Sequence, residues 1–137
     1  MKTEDGIKKD LYLGMEEEEV KALSFEKFVG LTTSRNRRTL MRLKTNPRLK
    51  KFMEKVREII KKNPKKLIKT HVREAVILPD WIGLTFAVHN GKEFKKFEIT
   101  IKKVGRRLGD FSHTTGRVLH SGPGVGATRG SKFVPLK

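Results

Sequence analysis

Arg35, Arg38 and Arg42 stand at i, i+3 and i+7. On a helix this spacing aligns three guanidinium groups in one basic stripe, and such groups neutralise phosphate. Further cationic side chains follow. Arg37 lies within the same segment, Lys51 and Lys62 in the next, and Lys66, Lys69, Arg73, Lys92, Arg106 and Arg107 beyond them. Arg117, His120, Arg129, Lys132 and Lys137 occupy the last stretch, and His71 sits between Thr70 and Arg73. These eighteen side chains are the candidate contacts to a polyanion. His71 reads equally well as a phosphate contact and as a half-buried polar strand residue. The chain holds 32 Lys+Arg against 15 Asp+Glu, a net charge of +17. An excess of that size opposes compaction through self-repulsion unless a polyanion neutralises it. It is also uneven. Residues 1–34 carry 5 basic and 8 acidic side chains, and residues 35–137 carry 27 and 7. The binding surface is therefore expected after the first quarter of the chain.

Other chemistries fit poorly. Gly122-Pro-Gly-Val-Gly-Ala-Thr-Arg-Gly-Ser-Lys132 is rich in glycine, but no Ser or Thr follows Lys132 as a phosphate loop requires. No dinucleotide fingerprint opens a helix there. Its glycines read instead as places where backbone can lie close against a rough surface. The four histidines include no i, i+4 pair, and with no cysteine a metal site is weakly supported. No ordered Ser/His/Asp set or paired acids sit on a recognisable scaffold. The chain reads as a binding protein with no catalytic residue, no metal, no cofactor and no small-molecule substrate. The rivals are a free-standing RNA- or DNA-binding chaperone or architectural protein and, from another class, a small enzyme using His71 or His120.

The elements that must position these side chains are legible in part. Asn46 is a good N-cap, and Pro47 suits the first helical position, where no N–H is needed. Leu49, Phe52, Met53, Val56, Ile59 and Ile60 then form one helical stripe. Lys50, Lys51, Lys55, Lys61 and Lys62 take the other side, and on its own that lysine face reads as solubilising charge. Asn63-Pro64 stops the helix. Upstream, Ser24 can cap a short helix over residues 25–29, ended by Gly30, and Thr33 or Ser34 can cap another through Arg42. Glu16 to Glu19 read as a solvated face. Downstream, Asn90-Gly91 between two β-rich runs predicts a two-residue hairpin with His89 facing Lys92, Ala87 facing Phe94 and Leu84 facing Phe97. That register puts Leu84, Phe86, Val88 and Phe97 on one side. Ala75 to Leu78 is expected to add a third strand. Trp81, beside Pro79, reads as a core or lid residue in preference to a base-stacking platform. Residues 101–111 could form a short helix with Ile101, Val104 and Leu108 on one face and Arg106 and Arg107 pointing away, though Gly105 weakens it. Beyond Phe111 the chain turns glycine-rich and loses periodicity, as a tail that orders on a partner would.

The expected fold is α+β: a small, three-stranded, mostly antiparallel sheet packed by helices, with extended N- and C-terminal segments. The division is an acidic N-terminal extension with a short helix at 1–33, an RNA-binding α+β domain at 34–111, and a basic glycine-rich tail at 112–137. The absence of cysteine fits a reducing interior. The N-terminus lacks an apolar signal core and the longest aliphatic run, Ala75 to Leu78, is far too short to span a bilayer, so a cytoplasmic location without membrane contact is expected.

Lys69-Thr-His-Val-Arg73 followed by Ile77-Leu-Pro-Asp-Trp-Ile-Gly83 resembles the strand segment of the small-subunit ribosomal protein S-nineteen family. Ala87-Val-His-Asn-Gly-Lys-Glu-Phe94 and Val104-Gly-Arg-Arg-Leu-Gly-Asp-Phe111 resemble its hairpin and its following helix. The ending from His120 to Lys137, and Ser34-Arg-Asn-Arg-Arg-Thr-Leu40, are similar to the archaeal and eukaryotic branch. The resemblance implies a structural constituent of the head of the small ribosomal subunit. Such a protein would bind the 3′ major domain of the small-subunit rRNA, neighbour ribosomal protein S-thirteen and lie close to the A-site tRNA.

Overall fold

The computed structural model describes residues 10–63 and 65–116, together with Leu119 and Gly122. Its longest helix forms as the capping signals dictate. The helices are α1 (Glu17–Lys21), α2 (Phe25–Leu31), α3 (Ser34–Met41) and α4 (Pro47–Lys62). The Asn46 carboxamide oxygen accepts the Leu49 N–H at 3.2 Å, and Pro47 takes the first position of α4. Leu49, Phe52, Met53 and Val56 are buried, while Ile59 and Ile60 pack half-buried against the same core. The core continues into α1 and α2: Val20 and Phe28 are as deeply buried as anything in α4 and belong to the same cluster. The acids at 17–19 form the first turn of α1, where negative charge complements the exposed N–H groups. Gly30 does not end α2. The helix runs through it to Leu31, and Thr32, whose hydroxyl donates to the Val29 carbonyl at 2.9 Å, closes it.

Three strands, β1 (Ile68–Thr70), β2 (Thr85–His89) and β3 (Phe94–Glu98), make a sheet in the order β1-β2-β3. The fold is α+β as expected. The sheet is mixed, and the antiparallel pair, β2 with β3, is the longer one. The third strand is not the segment expected. Ile68–Thr70 runs parallel to β2, with Ile68 opposite Phe86 and Thr70 opposite Val88. A parallel pair needs a long crossover, which residues 71–84 supply. Ala75 to Leu78 lies wholly buried within that crossover and pairs elsewhere. The Ile77 N–H donates to the Arg106 carbonyl at 2.8 Å, and the Gly105 and Leu108 N–H groups donate to Ile77 and Ala75 at 3.0 Å each.

That pairing also replaces the short helix expected over 101–111. Two 3-10 turns form instead, Ile101–Lys103 and Leu108–Phe111, because the backbone between them bonds to residues 73–77. Gly105 sits between the turns at φ +73, and a Cβ there would lie 2.8 Å from the Tyr12 hydroxyl. Ile101, Val104 and Leu108 are nonetheless all buried.

The hairpin register differs from the two-residue expectation. His89 faces Phe94, Ala87 faces Lys96 and Phe86 faces Phe97. Residues 90–93 form the loop, closed by Asn90 N–H to the Glu93 carbonyl at 3.0 Å. The Asn90 side chain accepts the Lys92 and Glu93 N–H groups at 2.9 and 2.8 Å, and only Gly91 takes a positive φ. Asn90 thus satisfies the loop through its side chain, without adopting the left-handed backbone of a type I′ turn. The slip is two residues, so the faces survive: Leu84, Phe86, Val88 and Phe97 still share one side. Trp81 packs in the core between Phe52, edge-on at 6.0 Å, and Phe86 at 5.3 Å. No helix among the described residues is long and apolar enough to cross a membrane.

Candidate nucleic-acid interface

The α3 stripe is present. Asn36 and Leu40 face inward and are buried, which leaves Arg35, Arg38 and Arg42 exposed on the outer side. Thr33 takes the N-cap position, and the basic stripe begins within the first turn. Arg107 does not point away from this surface; it reaches into it. Its Nε donates to Asn36 Oδ1 at 2.8 Å, and its Nη2 donates to Thr39 Oγ1 at 2.8 Å and to the Arg35 carbonyl at 3.4 Å. Asn36 is held in turn by its Nδ2 donating to the Gly105 carbonyl at 2.7 Å. The buried side of α3 therefore clamps the Arg107 guanidinium at the floor of a groove. Ser34, Arg35, Arg38, Thr39, Arg42 and Arg107 line that groove, about 410 Å³ in volume. Beyond Arg42 the surface continues along Thr45, Asn46 and Pro47, and beyond Arg107 to exposed Arg106.

Electrostatics favour an anion there. Burial first, and the Arg35 charge second, pull Arg107 below the ordinary arginine range, while Asp110 and Glu74 oppose the shift. The like charges of Arg35 and Arg107 repel, and an anion seated between them would relieve that repulsion.

Two other candidate arginines are turned onto the protein's own backbone. Arg73 donates from Nη1 to the His89 carbonyl at 2.7 Å, and from Nη2 to the Gly109 and Ser112 carbonyls at 3.1 and 2.5 Å. Ser112, fully buried, closes the arrangement with its hydroxyl on the Val88 carbonyl at 3.0 Å, so packing continues through the first residue of the expected tail. Arg37 donates to the Gly30 and Thr32 carbonyls at 2.8 and 3.3 Å and to the Val29 carbonyl at 3.3 Å, tying α3 to the end of α2. Lys51, Lys62, Lys66, Lys69, His71 and Lys92 are exposed. Lys51 and Lys62 lie on the polar side of α4, Lys69 on β1 and Lys92 in the hairpin loop. Arg117, His120, Arg129, Lys132 and Lys137 lie outside the described residues.

The sequence reading missed three residues beside His71. His89, Phe94 and Lys96 share the sheet face opposite the core, and the rings of His71, His89 and Phe94 are in mutual contact. The signal was the hairpin register: a four-residue loop puts His89 opposite Phe94, whereas a two-residue loop separates them. Among the described residues no group of three or more His, Cys, Asp or Glu is placed to hold a metal ion.

A family described as "Ribosomal protein S19" matches residues 41–120. The chain is also 42% identical over 130 residues to the small ribosomal subunit protein uS19 of Methanococcus maripaludis strain S2, with 92% of this chain and 80% of that protein covered. It is 44% identical over 126 residues to the protein of the same name from Thermoplasma acidophilum, with the same coverage of each.

Proposed function

The chain belongs to the ribosomal protein S19 family, and on that premise we propose that the groove along α3 seats the phosphate backbone of small-subunit rRNA in its 3′ major domain. The chain is a structural constituent of the small ribosomal subunit, and not an enzyme; its place is the ribosome. In our reading it lies in the subunit head beside ribosomal protein S-thirteen and close to the A-site tRNA. Residues 34–111 carry most of the RNA contact. The acidic segment 1–33 stands away from the phosphates, and the tail 112–137 follows the RNA surface.

One observation carries the reading: three exposed arginines converge with a clamped fourth on one groove. Arg107 is held in position by Asn36 and Thr39 before any ligand arrives, so little side-chain freedom is lost on binding. Arg35, Arg38 and Arg42 then meet successive phosphates as charge-assisted donors, and each contact releases condensed counterions. Affinity for a 3′-domain rRNA fragment should fall steeply with salt. Each of Arg35→Ala, Arg38→Ala and Arg42→Ala should lower the salt slope by about 0.7 to 0.9. A binding constant that stays flat between low and moderate salt, or slopes unchanged in all three variants, rules this groove out. Sedimentation of a cell lysate separates the ribosomal reading from a free-standing RNA chaperone: the protein should travel with small subunits at moderate salt.

A further inference from the structure

On the sheet face opposite the core, strand alternation sets Lys69, Ala87, His89, Phe94 and Lys96 side by side. Three rings meet at one end of this face. The His71 and His89 centroids are 4.6 Å apart, His71 and Phe94 5.1 Å, and His89 and Phe94 4.9 Å, the last two nearly edge-to-face. Phe94 is 37% exposed and takes no part in the hydrophobic core. An exposed phenylalanine on a charged strand gains little from folding, so this ring is available for a ligand.

The His89 ring is held in place, and the backbone that carries His71 and His89 is tied down. The Gly91 N–H donates to His89 Nδ1 at 3.1 Å, which fixes that imidazole. Arg73 holds the His89 carbonyl at 2.7 Å, and Arg48 Nη2 reaches the His71 carbonyl at 3.4 Å. The Lys69 ammonium lies 5.8 Å from the Phe94 centroid, and Lys96 stands across the same face, one strand beyond Ala87. A pre-set π surface flanked by ammonium groups matches a nucleobase and its phosphates. It fits an apolar side chain of a protein partner less well, because the lysines would lose hydration without gaining a counter-charge.

We propose that His71, His89 and Phe94 form a stacking platform for one unpaired base of the bound RNA, with Lys69 and Lys96 on the flanking phosphates. This rests on the RNA-binding reading above and adds to it a site for an unstacked base, separate from the backbone groove of α3. The test measures binding of the full chain to two labelled strands of equal length and charge, an oligoadenylate and its abasic counterpart, by fluorescence anisotropy at fixed salt. The wild type should bind the base-bearing strand roughly tenfold more tightly, the usual scale of one base–ring stack. Phe94→Ala should bring that ratio near one while leaving affinity for the abasic strand unchanged. His71→Ala does the same more weakly and serves where Phe94→Ala disturbs folding, as judged by circular dichroism. A wild-type ratio of one overturns the platform but leaves the RNA reading standing. A ratio above one that survives both substitutions also overturns it. If the wild type binds neither strand, the RNA reading itself falls.

Discussion

Arg73 and the α3 stripe use the same side chain in opposite ways. At Arg73 a fork of donors meets three carbonyls, from His89, Gly109 and Ser112, and ties the hairpin to the last turn of the fold. Along α3, Arg35, Arg38 and Arg42 are exposed and line one groove. The first arrangement lowers the free energy of the folded chain. The second raises it slightly, since like charges sit along one groove, and lowers it only when a polyanion arrives. Arg107 stands between the two. It is clamped by Asn36 and Thr39 like a structural residue, yet it faces the groove like a binding one. Arginine content alone therefore does not measure RNA-binding surface in this protein.

The contrast can be broken by substitution, and the largest effect belongs to the inner set. Arg73→Ala should destabilise the chain by about 2–4 kcal/mol in urea unfolding, because charged hydrogen bonds to half-buried carbonyls are lost together. Arg73→Lys should recover only part of this, since an ammonium cannot reproduce the planar fork. Recovery in full would mean that charge, and not geometry, is what the site needs. Asn36→Ala should come next, at about 1–3 kcal/mol, since it releases both the Gly105 carbonyl and the Arg107 guanidinium. Gly105→Ala follows, at about 1–2 kcal/mol or more. It places a side chain at positive φ and pushes against the Tyr12 hydroxyl. Arg38→Ala and Arg42→Ala complete the series with nearly unchanged unfolding midpoints and weaker RNA binding. If Arg38→Ala unfolded the protein as readily as Arg73→Ala, the two sets would not be distinct.

Much of this fold was legible from local patterns. Helix α4 carries its own start signal in Asn46-Pro47 and its own periodicity, and both act within a few residues. The inward face of the hairpin was legible too, because a two-residue slip leaves side-chain alternation intact. The strand partner of β2 was not. Ile68–Thr70 is only three residues long and pairs in parallel across a crossover, so nothing local marks it, while Ala75 to Leu78 has the stronger strand composition. The broken helix at 101–111 was missed for a related reason. Its backbone groups bond to residues 73–77, which lie far back in the chain.

Of the site, the basic stripe on α3 was readable and the ring cluster was not. The stripe needs only helical spacing, whereas His71, His89 and Phe94 meet only once β1, β2 and the hairpin loop are in register.

By itself the sequence determined that this chain is strongly basic, that its net positive charge lies after residue 34, that three arginines align along α3, and which face of α4 turns inward. Only the tertiary structure decided which arginines are free to meet a phosphate. A guanidinium bonds to whatever acceptor lies within about 3 Å, in the donor–acceptor range of any hydrogen bond. For Arg73 and Arg107 those acceptors come from residues remote in the chain, brought close by packing that no local pattern records.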